Sequence, residues 1–81
     1  MTTGLIQEKT QPFNIEAEIC VLGSLLIDNE AISLVTESLS KNDFYKTAHQ
    51  HIFETIVNIY DKNNAVDLVI LKDELNRLSL L

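Results

Sequence analysis

The stretch NIEAEICVLGSLLID, residues Asn14–Asp28, decides the fold of this chain. Asn14 can cap a helix, and two glutamates follow in the first turn, where the positive end of the helix dipole favours anions. From Ile19 onward only Ser24 interrupts the apolar residues, and a helix that is apolar on all sides is surrounded by other elements. The run is shorter than the ~20 residues of a membrane span. It therefore predicts a central helix over about residues 15–27 of a small helical domain.

Two small residues, Cys20 and Gly23, lie inside this apolar run. A glycine inside a helix costs about 1 kcal/mol relative to alanine, and its usual reason is the close approach of another backbone. We expect close packing over Gly23, with a flexible, non-helical glycine as the alternative. Cys20 is the only cysteine, so no disulfide can form within the chain. We expect it to be a small core hydrophobe in a reducing compartment.

The charge of the chain is acidic and unevenly distributed. Its 81 residues carry a net charge of −6, enough chain for one domain of marginal stability. Residues 1–40 hold six acidic residues against one lysine, whereas residues 41–81 hold six against five basic residues. Affinity for the phosphate backbone comes mostly from Lys and Arg, so direct nucleic-acid binding is not expected. An acidic face suits a basic protein partner or keeps the domain soluble. No signal peptide is recognisable, which predicts a cytoplasmic protein.

The domain is expected to cover residues 12–81, after a flexible arm over residues 1–11. That arm is rich in polar residues, and Pro12 should end it because the residue before a proline is pushed to an extended conformation. Phe13 then precedes the first helix, in the position from which an apolar residue often packs onto the first turn.

A second helix is predicted over about Glu30–Leu39, capped by either Asp28 or Asn29. The short connection implies that the first two helices are neighbours. The polar segment Ser40–Asp43 should form a turn, and the aromatic pair Phe44-Tyr45 follows it. We expect the pair to close the end of the core, with an exposed binding role as the alternative.

The third helix is predicted over about Thr47–Lys62 with Thr47 as its cap, and asparagine tolerates the left-handed conformation at its end. The fourth is predicted over about Leu68–Leu78 with Asp67 as its cap, and with Leu68, Leu71, Leu75 and Leu78 in line. The fold class is therefore all-α, a small orthogonal bundle of four to five helices. Its predicted core contains Ile19, Leu22, Gly23, Leu26, Phe44, Ile52, Phe53, Ile56, Leu71 and Leu75.

No constellation of catalytic residues is visible. Neither glycine of the chain precedes a Lys-Ser/Thr pair, so no phosphate-binding loop is present. His49 and His51 are two residues apart on a helix and point to nearly opposite sides, which argues against a metal site. A packing or hydrogen-bonding role is expected for His49. The carboxylate pairs are explained by solvated helix surfaces: Glu16 with Glu18, and Asp73 with Glu74. We predict no catalytic, cofactor-binding or metal-binding residues.

Several separated motifs together resemble the N-terminal domain of bacterial replicative DNA helicases, the DnaB family. They occur in the family's order and spacing over about Pro12–Leu81: Asn14-Ile15-Glu16-Ala17-Glu18, Val21-Leu22-Gly23, Leu25-Leu26, Asp28-Asn29, Asp43-Phe44-Tyr45, Ala48-His49, Ile52-Phe53, Val66-Asp67-Leu68, Leu71, Leu75 and Leu80-Leu81. Many relatives have a glycine near Asn64, a proline near Ala65 and a glycine near Ser79, so the chain departs from the pattern there.

This resemblance implies the head of a larger machine. Such helicases are hexameric rings that unwind DNA at the replication fork by hydrolysing ATP, with Mg²⁺, in a RecA-like C-terminal motor domain. Their N-terminal domains form a collar, pair through a long helical hairpin, and dock the C-terminal domain of primase. The sequence stops before the hairpin and the motor, so it implies an interaction and assembly domain without its own ATPase activity. The partner-binding residues stay unknown, and the second helix with Ser40–Tyr45 is the hypothetical docking face.

Two other functions compete with this one. The first is a stand-alone helical adaptor that regulates helicase or primase, which the reading frame beyond Leu81 would distinguish. The second is a small helical transcription factor, whose recognition helix would need a basic face. The third predicted helix offers only His49, Gln50, His51, Asn58 and Lys62 for such a face, which disfavours the second alternative.

Overall fold

The computed structural model describes residues 14–80, and this part of the chain is helical. It contains a 3₁₀ turn, Lys41–Asp43, and four α-helices: α1 (Ile15–Ile27), α2 (Glu30–Val35), α3 (Thr47–Asp61) and α4 (Leu68–Arg77). No strand occurs between residues 14 and 80, so the all-α prediction is confirmed. The predicted arm over residues 1–11 and the packing of Phe13 onto the first turn lie outside the described residues.

One apolar core joins the helices. α3 packs against α1, the 3₁₀ turn and α4, while α1 also packs against α2. The rings of Phe44 and Phe53 meet inside this core with their centroids 5.0 Å apart. Its buried hydrophobic residues are Leu22, Leu25, Ile32, Phe44, Phe53, Ile56, Ile59, Val66, Leu71 and Leu75, with Leu26 and Ile52 partly buried against them.

The outer side of α1 is exposed, which corrects the expectation of a helix surrounded on all sides. Ile19 is 55% and Ile27 89% exposed, so Ile19 does not belong to the core. Cys20 is also exposed and is not a core hydrophobe. The physical reason is that α2 and α3 pack against α1 and leave its outer side without a neighbour among the described residues.

Gly23 does not mark a close helix contact, so that prediction was wrong. A Cβ atom on Gly23 would meet no atom of the described chain within 4 Å apart from its chain neighbours and the nearby backbone of its own helix. Its φ is negative, like that of any helical residue. Neither packing nor backbone conformation within the described fold therefore requires a glycine at this position.

Replacing Gly23 with alanine is expected to raise the free energy of unfolding by about 0.5–1 kcal/mol, because alanine loses less backbone entropy in a helix and the added methyl group has open space. Urea denaturation followed by circular dichroism measures this change. Ser24→Ala, also on the exposed side of α1, is the matched control and should change the stability less, because serine is closer to alanine in helix propensity than glycine is. Destabilisation by Gly23→Ala would show that the space over the helix is filled.

The helix ends test the predicted caps. The Asn14 side chain accepts a hydrogen bond from the Ala17 amide at 3.0 Å, and the Asp67 side chain accepts one from the Ile70 amide at 2.8 Å. Both predicted caps are thus confirmed. Thr47 is not a cap: it is the first residue of α3, and the cap position is occupied by Lys46, whose side chain makes no capping bond.

α2 is shorter than predicted, since it ends at Val35 and not at Leu39. Two hydroxyl groups compete with its backbone ladder. Ser33 donates to the Glu30 carbonyl and Thr36 to the Ser33 carbonyl, each at 3.1 Å. Such local bonds favour turns over continued helix.

Two residues adopt the left-handed conformation where the chain leaves α3 and α4. Asn63, after α3, has φ 65°, and Ser79, after α4, has φ 60°. Asparagine tolerates this region better than serine does. Leu71 and Leu75 of α4 are buried, whereas Leu68 and Leu78 of the predicted stripe are exposed.

The side chain of Asn29, between α1 and α2, joins the end of α1 to the segment that precedes α4. Asn29 donates to the carbonyl oxygens of Leu25 and Val66, both at 2.9 Å, and accepts from the Val66 amide at 2.7 Å. It makes no capping bond to α2; the Asp28 carboxylate accepts from the Glu30 amide at 3.2 Å instead. Asn29 therefore fixes the segment that precedes α4 against the end of α1.

Candidate functional site

A buried polar pair joins α1 to α3. The Glu18 and His49 residues are only 9% and 7% exposed. His49 Nδ1 lies 2.7 Å from Glu18 Oε1. Because an ionised carboxylate can only accept, the proton in this contact lies on Nδ1. Glu18 Oε2 accepts a second hydrogen bond, from the backbone amide of Tyr45 at 2.6 Å.

Helical spacing explains why both side chains face the core. Glu18 lies four residues before Leu22 on α1, and His49 lies four residues before Phe53 on α3, so each is one turn from a core residue on the same helix face. Both of these core residues are buried. The expectation that Glu18 is a solvated residue at the helix dipole was therefore wrong, whereas the hydrogen-bonding role expected for His49 is confirmed.

The environment of the Glu18 carboxyl favours its ionised form. Burial by itself raises the pKa of this carboxyl, but hydrogen bonds from the Tyr45 amide, the His49 ring and the Lys46 amide outweigh burial. The pKa of Glu18 therefore lies below its ordinary value of 4.5. A carboxylate held in this way contributes stability as long as it is ionised.

The same contacts fix the connection between the 3₁₀ turn and α3. The Gln50 side chain donates to the Phe44 carbonyl at 2.7 Å, next to the Tyr45 amide that Glu18 holds. Asp43 closes the preceding turn by accepting from the Ser40 amide at 2.7 Å. Phe44 is consequently turned into the core, as expected, but Tyr45 is exposed and does not close it.

We expect the stability of the protein to depend on pH through Glu18. Its carboxyl titrates near 4.5 when unfolded and lower when folded, so its contribution is present above about pH 4.5 and is lost as the pH falls through the folded-state value. Glu18→Gln should lower the free energy of unfolding at pH 7 by about 1–3 kcal/mol, because the amide keeps only one of the two acceptor oxygens that hold His49 Nδ1 and the Tyr45 amide. Urea denaturation from pH 7 to pH 3 measures both effects.

Glu16→Gln is the matched control, since Glu16 is exposed in the same turn of α1. The difference between Glu18→Gln and the unsubstituted chain should shrink towards low pH, whereas Glu16→Gln should have a smaller effect at pH 7, because an exposed carboxylate near the helix dipole contributes only about 0.3–1 kcal/mol. A Glu18→Gln difference that is constant from pH 7 to pH 3 would contradict the role assigned to the ionised carboxylate.

The polar side chains of the described residues do not assemble into a metal site. No group of three His, Cys, Asp or Glu residues in this part of the chain is arranged to hold an ion. His49 is buried against Glu18, whereas His51 is only half-buried. Glu74, expected to be simply solvated, forms an ion pair with Arg77 at 2.5 Å, which lowers the pKa of the Glu74 carboxyl. Among residues 14–80, none of the helices has the length and hydropathy of a membrane span.

Exposed apolar side chains form the remaining candidate surfaces. Leu34 on α2 is 67% and Tyr45 63% exposed. A shallow groove of about 400 Å³ runs along α3 and is lined on its other side by residues from the segment that links α2 to α3. The ion pair between Lys41 Nζ and Glu54 Oε2, 3.2 Å apart, lies on this groove. Its apolar lining is Leu39, Phe53 and Val57. Leu68 and Val69 are also exposed, but they lie on α4 and do not line this groove.

Comparison with known proteins identifies the relatives of this fold. A family described as "DnaB-like helicase N terminal domain" matches residues 10–81. The chain is 41% identical over 70 residues to the replicative DNA helicase DnaB of Treponema pallidum, covering 86% of this chain and 16% of the relative. It is 38% identical over 79 residues to the replicative DNA helicase DnaC of Bacillus subtilis, covering 98% of this chain and 17% of the relative.

A solved structure agrees with these sequence matches. The N-terminal domain of DnaB helicase from Mycobacterium tuberculosis superposes with a TM-score of 0.83 at 38% identity, covering 86% of this chain and 51% of that one. The chain thus spans about a sixth of the length of the two sequence relatives. The family match over residues 10–81 includes all four helices, α1 to α4. The chain belongs to the DnaB-like helicase N-terminal domain family.

Proposed function

We propose that this chain is the interaction and assembly head of a replicative DNA helicase. In this role it contributes to the N-terminal collar of a hexamer and docks the C-terminal domain of primase, in the cytoplasm. The observation that carries the proposal is the match of residues 10–81 to the helicase N-terminal domain family. The chain's partners are then other helicase subunits and primase, with no direct contact to nucleic acid.

The chemistry of the described residues supports a binding role over a catalytic one. The buried carboxylate of Glu18 is occupied by His49 and the Tyr45 amide, so it is not available as a general base for a substrate. ATP and Mg²⁺ are proposed to act in a separate motor domain of the parent helicase. The head itself should therefore show no ATPase activity.

The primase-docking face is proposed to include the exposed side of α2 and the Ser40–Tyr45 connection. Leu34 and Tyr45 offer exposed apolar surface there, and the neighbouring groove along α3 can accept an apolar side chain. The backbone of the connection is fixed by Glu18 and Gln50. A surface that is already ordered binds without the cost of ordering a loop.

Binding of purified primase C-terminal domain, measured by isothermal titration calorimetry, tests this function. Leu34→Ser and Tyr45→Ala should each weaken binding about 10-fold, since a partly buried apolar contact is worth ~1–2 kcal/mol at an interface. Val69→Ser removes an exposed apolar side chain from α4 and is the matched control, for which we expect unchanged affinity.

Two outcomes would overturn the proposal. If the folded chain does not bind the primase domain at all, its docking role is refuted. If Val69→Ser weakens binding while Leu34→Ser and Tyr45→Ala do not, docking occurs but the assigned face is wrong.

A further inference from the structure

The outer side of α1 presents an apolar row that the described fold leaves uncovered. Ile19, Gly23 and Ile27 follow one another at intervals of four residues, so they form a single row along the helix surface. Both isoleucines are more than half exposed. Isolated exposed hydrophobic residues are common. Here two large ones flank a glycine in one row, so the surface has a depression between two apolar side chains.

Gly23 leaves a notch in this row, the space between Ile19 and Ile27 that no other part of the described fold fills. A glycine inside a helix is destabilising relative to alanine. Close packing or a left-handed backbone normally accounts for that cost, and the described chain shows neither at Gly23. The space that a side chain would fill at Gly23 is therefore open to a side chain of another molecule, which can lie between Ile19 and Ile27.

Both ends of the row are acidic. Glu16 precedes it by one turn, and Asp28 and Glu30 follow it. Residues 14–40 contain no lysine or arginine at all. Within residues 14–80 the ion pairs involve other side chains, so the carboxylates that flank the row are not neutralised by this part of the chain.

We infer that the outer face of α1 binds an amphipathic helix of another protein that carries an apolar stripe with Lys or Arg at both ends. The distance from Glu16 to Asp28 is about 18 Å at 1.5 Å per helical residue, so the two basic ends lie about three turns apart. A bulky apolar residue midway between them occupies the Gly23 notch. This inference goes beyond the proposed primase docking, which uses the α2 and Ser40–Tyr45 face.

Charge complementarity selects this occupant over the others. A second copy that used the same face would bring carboxylates against carboxylates in either orientation, because no basic residue lies between residues 14 and 40. Nucleic acid and anionic lipid surfaces carry negative charge and are repelled by the same carboxylates. A helix with basic ends gains from both the apolar row and its acidic flanks.

Fluorescence anisotropy with two labelled 16-residue helical peptides tests the inference. Both peptides share one leucine stripe, and their end residues are lysine in one and glutamate in the other. We expect the lysine peptide to bind the 81-residue chain at least 10-fold more tightly than the glutamate peptide, and to weaken as salt is raised, because surface charges are screened. A reductant is needed because Cys20 is exposed.

Three variants locate the binding face. Ile27→Ser and Gly23→Leu, which remove an apolar contact and fill the notch, should each weaken the lysine peptide at least 10-fold. Leu68→Ser is the matched control on α4 and should leave binding unchanged. Circular dichroism confirms that each variant is folded.

The inference is overturned by any of four results. These are no saturable binding of the lysine peptide, equal binding of the two peptides, equal effects of Ile27→Ser and Leu68→Ser, or self-association of the chain that Ile27→Ser abolishes. The last result would assign the face to a second copy. Failure of primase binding alone would leave this inference untouched, since the two faces are tested by different variants.

Discussion

The contact between Glu18 and His49 is the interaction on which the arrangement of this domain depends. It joins the first turn of α1 to the first turn of α3, with 2.7 Å between Glu18 Oε1 and His49 Nδ1. The second carboxylate oxygen holds the Tyr45 amide at 2.6 Å. One side chain thereby fixes the angle between two helices and the path of the segment that enters α3. Phe44 can then point into the core while the adjacent Tyr45 stays at the surface.

Burial of such a pair is tolerated because both carboxylate oxygens of Glu18 and the Nδ1 atom of His49 have hydrogen-bond partners. Breaking a buried pair by removing one member costs several kcal/mol, although replacing both with apolar residues can cost little. Asn29 does the corresponding work at the other end of α1, where it holds Val66 through two hydrogen bonds. The apolar core lies between these two polar contacts, so hydrophobic burial supplies the stability and the polar contacts select the arrangement of helices.

Local sequence chemistry predicted much of this fold. The caps at Asn14 and Asp67 follow from side-chain preference alone, and the buried positions of Phe53, Ile56, Leu71 and Leu75 follow from helical spacing. Contacts between helices could not be predicted from local sequence. In the sequence, Glu18 is indistinguishable from a solvated glutamate, because the contact that buries it comes from His49 on α3. The exposure of Ile19 and the open space at Gly23 depend on how many helices surround α1, which periodicity does not report.

A double-mutant cycle on Glu18→Ala and His49→Ala tests the central claim most directly. The free energies of unfolding of the single and double variants at pH 7 give the coupling between the two side chains. Residues in contact within one buried hydrogen-bonded network couple by about 0.5–3 kcal/mol, and we predict a coupling of at least about 1 kcal/mol. Additive effects, with a coupling near zero, would contradict the claim that this pair fixes α1 against α3.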